Sequence, residues 1–345
     1  MRLGIIARCD NTGLGNQTRE LVNMLNPDKI LLIDSAFFNN NKQHPEWYSG
    51  YNVFKTLRGM PRTKEILAFL ENLDVVISCE TFYSVDFINL ARAKNVKTIL
   101  QYNYELFGNM TNPEWALPDV LLSPSLWNID IVNKKFGSKT KLIHLPPPTD
   151  TSLFDNIRQN NLSKTHKRIL HIGGKKAAKD RNGTDTVIEM LKYSKAEYEL
   201  VVTTQTPLNF NTKDKRLTLS QDNVKNREDL YNGFDAMVLP RRYAGLCLPM
   251  NEALISGMPV FMTDVSPNNQ ILPGKWLVES KKIGEFKTKS MVNIYEANPE
   301  RLANMIDKYI EGENIKDYKN KAVEIGFNNF SVEVLKDKYL QIINE

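Results

Sequence analysis

Residues 234–264 read F-D-A-M-V-L-P-R-R-Y-A-G-L-C-L-P-M-N-E-A-L-I-S-G-M-P-V-F-M-T-D. The apolar run Ala236 to Leu239 predicts a buried strand, and Val260 to Met262 predicts a second. Between them lie a loop carrying Gly245, a helix from Pro249 to Ser256 holding Glu252, and a glycine stop at Gly257. A strand, a glycine loop and a helix with a carboxylate near its start suit a phosphorylated ribose. The helix N-terminus attracts phosphate, and the carboxylate accepts the ribose hydroxyl protons.

The same alternation runs through the chain in both directions. Strands are expected at Leu3 to Ala7, Ile30 to Ile33, Val75 to Ser78, Thr98 to Tyr102, Val120 to Leu122 and Leu142 to His144, with helices at Gln17 to Leu25, Thr63 to Leu73, Val85 to Ala93 and Trp127 to Phe136. After Pro146-Pro147-Pro148, which no helix or sheet continues through, the pattern restarts. Strands at Arg168 to Ile172, Tyr198 to Val202 and Leu217 to Leu219 precede the opening stretch, with helices at Thr184 to Leu191 and Arg227 to Tyr231. Helices near Glu300 to Glu311, Lys316 to Ile325 and Val332 to Ile343 end the chain. Strands alternating with helices predict α/β architecture, here two doubly wound parallel sheets joined by a proline hinge. Phe37 to Pro61 is too long for a routine connection, and its mixture of Trp47, Tyr48, Tyr51, Lys55 and Arg58 suits a lid packed on its own domain.

With 345 residues the chain exceeds one ordinary core, and two domains are expected. No apolar run is long enough to span a membrane and the N-terminus lacks a signal peptide pattern, so a cytoplasmic protein is expected. Cys9, Cys79 and Cys247 form neither a disulfide framework nor a metal-ligand spacing. The four histidines are dispersed and no Asp-x-Asp occurs, which leaves a metal-dependent mechanism without visible ligands. A net charge of +5 permits an anionic substrate or a nucleic-acid partner without requiring either.

Two further glycine turns follow strands. R-C-D-N-T-G-L-G-N-Q-T-R-E-L opens into a helix, where Gly13 and Gly15 let the backbone approach a ligand and the N–H groups around Asn16 and Gln17 would face an anion. Asp34 closes the next strand, the place of a ribose carboxylate in dinucleotide-binding folds, so NAD binding stays open. I-L-H-I-G-G-K-K-A-A-K-D-R-N-G-T-D-T places Gly174, Lys175, Lys176, Lys179 and Arg181 before a helix start, cations able to neutralise a diphosphate. Arg241 and Arg242 end the strand Ala236 to Leu239 at the same rim. In the first half Q-Y-N-Y-E-L-F offers Asn103 and Glu105 to a hydroxyl-bearing acceptor, and S-C-E-T offers Glu80.

The pattern G-L-x(4)-N-E-A-x(3)-G-x-P-V after D-A-x-V-L-P resembles the retaining glycosyltransferases of the GT-B fold, of the large glycosyltransferase family 4 type. G-L-G-N-Q-T-R-E-L is similar to that family's first glycine loop, P-P-P-T-D-T-S-L-F at Pro146 to Phe154 to its interdomain segment, and K-K-A-A-K-D-R-N-G-T-D to its diphosphate loop. F-S-V-E-V-L-K-D-K-Y-L resembles the last helix, which in the family crosses back onto the first domain. The resemblance implies an acceptor-side domain over residues 1–150, a donor domain over 151–328, and a returning helix over 329–345.

It further implies metal-independent transfer of a sugar from a nucleotide-diphosphate sugar to a hydroxyl, with no cofactor beyond that co-substrate. Glu252 matches the second glutamate of the family's E-x(7)-E signature, which binds the ribose. Gly245 and Leu246 match the loop beside the diphosphate, Gly15 the N-terminal loop, and Lys175 with Arg181 the Arg and Lys pair on the diphosphate, Asn182 taking the lysine's place in an alternative register. Where the first glutamate would stand the chain has Ala244, and an alignment shifted to keep G-L in place puts Arg242 there. That departure leaves the sugar open and keeps a non-catalytic nucleotide-sugar binding protein as a second reading. Glycan, metabolite, protein and modified nucleic-acid base all stay open as acceptors.

Overall fold

The structure, a computed structural model, describes every residue except 38–40, 58, 107–115, 175–178, 206–212, 222, 223, 225 and 244. It divides into two compact units, the first comprising Met1–Thr149, Thr288–Ser290 and Val332–Glu345, the second Asp150–Lys287 and Met291–Ser331.

The first unit is built on seven parallel strands, β1 (Leu3–Ala7), β2 (Lys29–Leu32), β3 (Val53–Lys55), β4 (Val75–Cys79), β5 (Lys97–Gln101), β6 (Val120–Ser123) and β7 (Lys141–His144). Their order is β3-β2-β1-β4-β5-β6-β7. β1 and β4 are buried at every position, as continuous apolar runs covered on both faces must be. Helices α1 (Gly13–Leu25), α2 (Thr63–Leu70), α3 (Phe87–Ala93) and α4 (Ile129–Phe136) supply the crossovers. Thr12 caps α1 by accepting from the N–H of Gly15, and Asn26 ends it in the left-handed conformation that Asn tolerates. The stretch expected as a lid is in part sheet: it contributes the edge strand β3, and Tyr48 buries its ring while its hydroxyl donates to the Arg8 carbonyl at 2.7 Å. Arg58 of that stretch lies outside the described residues.

The second unit opens with α5 (Asp155–Ser163) and β8 (Arg168–Gly174), followed by α6 (Thr184–Met190), β9 (Glu199–Thr204), β10 (Leu217–Ser220), β11 (Ala236–Leu239), α7 (Leu248–Ile255), β12 (Val260–Thr263) and β13 (Leu277–Val278). The six strands run in the order β10-β9-β8-β11-β12-β13. An antiparallel hairpin of β14 (Ser280–Lys287) and β15 (Met291–Ala297) comes next, then α8 (Pro299–Ile310) and α9 (Ile315–Phe330). The hairpin and α5 were not expected from the sequence, and the helix expected at Arg227–Tyr231 is a 3₁₀ turn. A buried ion pair ties α9 to the sheet: Lys319 Nζ meets Asp235 Oδ1 at 2.7 Å and also donates to the carbonyls of Asn161 and Lys164. Asp235 in turn accepts from the N–H groups of His166 and Arg168, so neither charge is left without partners.

The final helix, α10 (Val332–Asn344), belongs to the first unit. Leu335, Tyr339, Ile342 and Ile343 join the core formed by β1, β4 and α1. Gln101 Nε2 donates to the Tyr339 hydroxyl at 3.0 Å, and that hydroxyl donates to the Pro146 carbonyl at 3.0 Å. The hydroxyl of the buried tyrosine is thereby satisfied on both sides.

His171 on β8 is fully buried, with Nδ1 2.8 Å from the Val238 carbonyl and Nε2 2.9 Å from Thr184 Oγ1. Only a donor can face the carbonyl, so Nδ1 carries the proton and Nε2 accepts from the threonine. Burial first of all pushes its pKa down from 6.5 to about 4, against the pull of the Val238 carbonyl. A base with a depressed folded pKa contributes stability that is fully present above about pH 6.5 and is lost as pH falls through about 4. Chemical denaturation between those values should lose up to about 1.4 kcal/mol per pH unit from this ring. His171→Gln should flatten that slope; equal slopes in the two proteins would contradict the assignment.

Candidate functional site

In the second unit the strand order reverses between β8 and β11, where loops leaving neighbouring strands diverge to opposite faces. The loop after β8 carries the cations expected to hold a diphosphate. Lys175 and Lys176 lie outside the described residues. Gly174 adopts φ +64, and its carbonyl accepts from Gln205 N–H and Thr204 Oγ1, each at 3.0 Å. Asn182 spends its amide on the carbonyls of Ile172 and Gly173, both at 3.1 Å, which closes the loop onto its own strand. The N–H groups at the head of α6 are not open to an anion, because the Asp180 carboxylate accepts from Thr184 and Asp185, both at 3.0 Å. Asp180 stands three residues before the N-cap Gly183, whose N–H donates to its carbonyl at 3.0 Å, and that turn brings the carboxylate back onto the first N–H groups of the helix. Gly183 follows at φ +71, and a Cβ there would stand 2.3 Å from the Pro240 carbonyl oxygen. That contact brings the two loops of the site together.

The second loop joins β11 to α7. Arg241, 6 % exposed, donates from Nη1 to the Leu246 carbonyl at 2.8 Å, while its Nε has no hydrogen-bond partner among the described residues. Gly245 and Leu246 are partly exposed, and α7 begins two residues later with no side-chain cap at Cys247. The head of α7 therefore differs from that of α6. Arg242, the residue of the shifted alignment, is held by Glu296 of β15 at 2.6 Å, its N–H donates to the Arg181 carbonyl at 2.9 Å, and its own carbonyl accepts from Tyr295 N–H. Tyr243 packs edge-on against Phe286 of β14, their centroids 4.9 Å apart. The hairpin thus braces the loop around Ala244, which itself lies outside the described residues.

Glu252 is 3 % exposed within α7. Its Oε2 accepts from the Tyr231 hydroxyl at 2.5 Å, and its Oε1 lies 3.3 Å from Arg227 Nε. Burial raises its pKa, and Arg227 and Tyr231 oppose that rise. Arg227 and Tyr231 were read only as a helix; the 3₁₀ turn that carries them is what positions the carboxylate.

In the first unit Gly13 is exposed and Gly15 buried. A Cβ on Gly15 would lie 2.0 Å from the Asp10 carbonyl oxygen, so the turn itself requires this glycine. The N–H of Gly15 goes to Thr12 Oγ1 and that of Asn16, one of those expected to face an anion, to the Thr12 carbonyl at 2.9 Å. Gln17 is buried and donates to Gln101. Asp34, the NAD alternative's carboxylate, is exposed and accepts from Ala36 N–H at 3.1 Å. Asn103 donates to Glu80 Oε1 at 3.4 Å, and the carbonyl of Glu105 accepts from Thr288 Oγ1 at 2.8 Å and Lys289 N–H at 3.1 Å within the same unit.

No family model matches the chain, and no curated protein is similar to it in sequence. Solved structures are similar in fold. HepE from Anabaena in complex with UDP and glucose superposes with a TM-score of 0.67 at 10 % identity, covering 100 % of this chain and 99 % of that one. Sucrose-phosphate synthase from Thermosynechococcus elongatus gives 0.68 at 11 % identity over 100 % and 98 % of the two chains. A glycosyltransferase from Rickettsia africae gives 0.68 at 12 % over 99 % and 97 %. The fold of this chain is the GT-B fold.

Removing one partner of a buried charged pair leaves the other stranded. Glu252→Ala should lower unfolding free energy by about 3 kcal/mol, and Tyr231→Phe, which keeps the Arg227 contact, by about 1 kcal/mol. Denaturant titration of both variants checks this; equal small losses would mean that the carboxylate is not held as described.

Proposed function

We propose that the chain is a glycosyltransferase that takes a sugar from a nucleoside-diphosphate donor of the UDP-sugar class and passes it to a hydroxyl, with retention of configuration and without a metal ion. One observation carries the reading. At the head of α7 an uncapped helix N-terminus, the buried Arg241 with an unpartnered Nε, and the buried Glu252 occur together. Phosphate oxygens suit the first two, since a guanidinium and the positive end of a helix both favour an anion. Ribose hydroxyls suit the third, because each carboxylate oxygen keeps a lone-pair site beyond Tyr231 and Arg227. The likeness in fold to HepE, solved with UDP-glucose, supports uridine as the base.

In this reaction the bond between the anomeric carbon and the diphosphate oxygen breaks with its electron pair staying on that oxygen. The acceptor oxygen forms the new bond from the same face, and its proton ends on the departing diphosphate. The protein's part is to fix the geometry and stabilise the negative charge that builds on the leaving group. Arg241 does so at the head of α7. Arg181 and Lys175 are assigned to the same diphosphate, with Gly174 and Asn182 shaping their loop and Gly245 and Leu246 the opposite wall. Arg242 holds its loop through Glu296, so the sugar is read against a braced surface rather than by a free guanidinium.

Arg241→Lys keeps a charge but loses the planar fork. It should weaken UDP binding by about tenfold in calorimetric titration. Arg181→Ala should slow release of UDP from a UDP-sugar more than it weakens UDP binding, and the product's anomeric proton should report the donor's configuration by NMR. UDP binding without any transfer or hydrolysis would instead identify a nucleotide-sugar binding protein.

A further inference from the structure

The two groups that hold Glu252 come from one short element, the 3₁₀ turn Arg227–Tyr231 that precedes β11. That turn is itself pinned. The Tyr231 carbonyl accepts from Asn161 Nδ2 of α5 at 2.9 Å, and Asn161 Oδ1 accepts from the N–H groups of Gly233 and Phe234 at 2.8 and 3.2 Å. Asn161 is fully buried, so the turn is fixed in its place beside α7.

Few charges surround the Glu252 carboxylate. Arg227 Nε lies 3.3 Å from Oε1, and Glu228 of the same turn adds a weaker repulsion. Burial, and then the Glu252 charge, raises the Tyr231 hydroxyl well above the usual tyrosine range, so it stays a donor; Cys247 is the other titratable group near it. β12 and the turn Thr151–Phe154, both packed on α7, carry no charged side chain. Lys319 of α9 is committed to Asp235, while Lys316, Asp317, Lys321 and Glu324 of that helix are exposed. Arg158 of α5 goes to Asp155 and to the Ile255 carbonyl.

Burial is the largest influence on Glu252 and favours its protonated form, and Arg227 is the first influence against it. The two forms differ in what they can hold. An ionised carboxylate accepts at both oxygens, whereas a carboxylic acid turns one of them into a donor. Tyr231 already donates to this group, and a ribose hydroxyl would donate too, so the site needs the ionised form.

We propose that Arg227 is a positioning residue of the nucleotide site: without touching the ribose it holds Glu252 in the acceptor-only form, and so sets how far into acid the protein tells a ribonucleotide from its deoxy counterpart. The inference rests on the reading of Glu252 as the ribose acceptor given above and adds the control of that site by pH. A neutral residue at 227 leaves the buried carboxylate without its cation, and it then takes up a proton at higher pH.

UDP and 2′-deoxyuridine diphosphate differ by one hydroxyl and are titrated by calorimetry into the full-length protein between about pH 5 and 9. The parent should prefer UDP about tenfold and lose that preference toward acid. Arg227→Gln should lose it at higher pH, falling below about threefold where the parent still shows its full preference, and should regain it toward pH 9; Arg227→Lys should follow the parent. Coincident curves for the parent and Arg227→Gln, or a preference that Arg227→Gln lacks at every pH, would overturn the proposal. A parent that binds UDP with no preference at any pH, or does not bind it, would count against the ribose reading of Glu252, and unfolding followed against pH then decides the role of Arg227 without nucleotide. A carboxyl whose folded pKa is raised contributes stability that is present below its unfolded pKa and is lost as pH rises through the folded one. That loss should continue to higher pH in Arg227→Gln than in the parent, and an identical course in the two would overturn the proposal.

Discussion

The reversal of strand order between β8 and β11 is the constraint from which the site follows. Right-handed crossovers place successive helices on one face until the order reverses, and then on the other. At that point the loops after β8 and β11 part, and the ends of the strands are left uncovered. Gly183 and Arg242 then bind the two loops to each other, the first by its closeness to the Pro240 carbonyl, the second through the carbonyls of Lys179 and Arg181. The crevice is a product of chain topology, and its shape is kept by backbone contacts together with the Arg241 and Arg242 side chains.

Within that frame the two helix heads serve different ends. Asp180 consumes the N–H groups of α6 and gives the loop rigidity, while α7 begins without a side-chain cap beside Arg241. Glu252 sits behind, its charge balanced by Arg227 and its orientation fixed by the Tyr231 hydroxyl. A buried carboxylate held from two sides is preorganised, so hydroxyls that reach it meet an acceptor which need not reorient. The first unit repeats the reversal at β1 and β4.

Much of this was legible in the sequence because parallel strands buried on both faces are continuous apolar runs. V-V-I-S-C, A-M-V-L and V-F-M-T could be read within a residue or two. β3 was missed because Val53, Phe54 and Lys55 form an edge strand, half covered and short, in a stretch dominated by Asn and aromatics. The hairpin was missed because β14, with its exposed Lys and Glu, has no buried position, and β15 has only Val292, Ile294 and Ala297. Site residues of local origin, such as Glu252, could be found from spacing. The partners that position them could not: Tyr231 reaches Glu252 across 21 positions, and Glu296 reaches Arg242 across 54. Asp180 is a third case: its carboxylate takes up the first N–H groups of α6 only because the turn through Gly183 folds it back onto them.

The central claim is that the second unit holds a uridine diphosphate sugar at the head of α7. Melting temperature measured with UDP, ADP, GDP and NAD in turn tests it most directly, since a ligand bound only by the folded state raises that temperature. The account predicts a clear rise with UDP, reduced in Arg241→Lys, and none with NAD. A rise with NAD and none with any nucleoside diphosphate would contradict it.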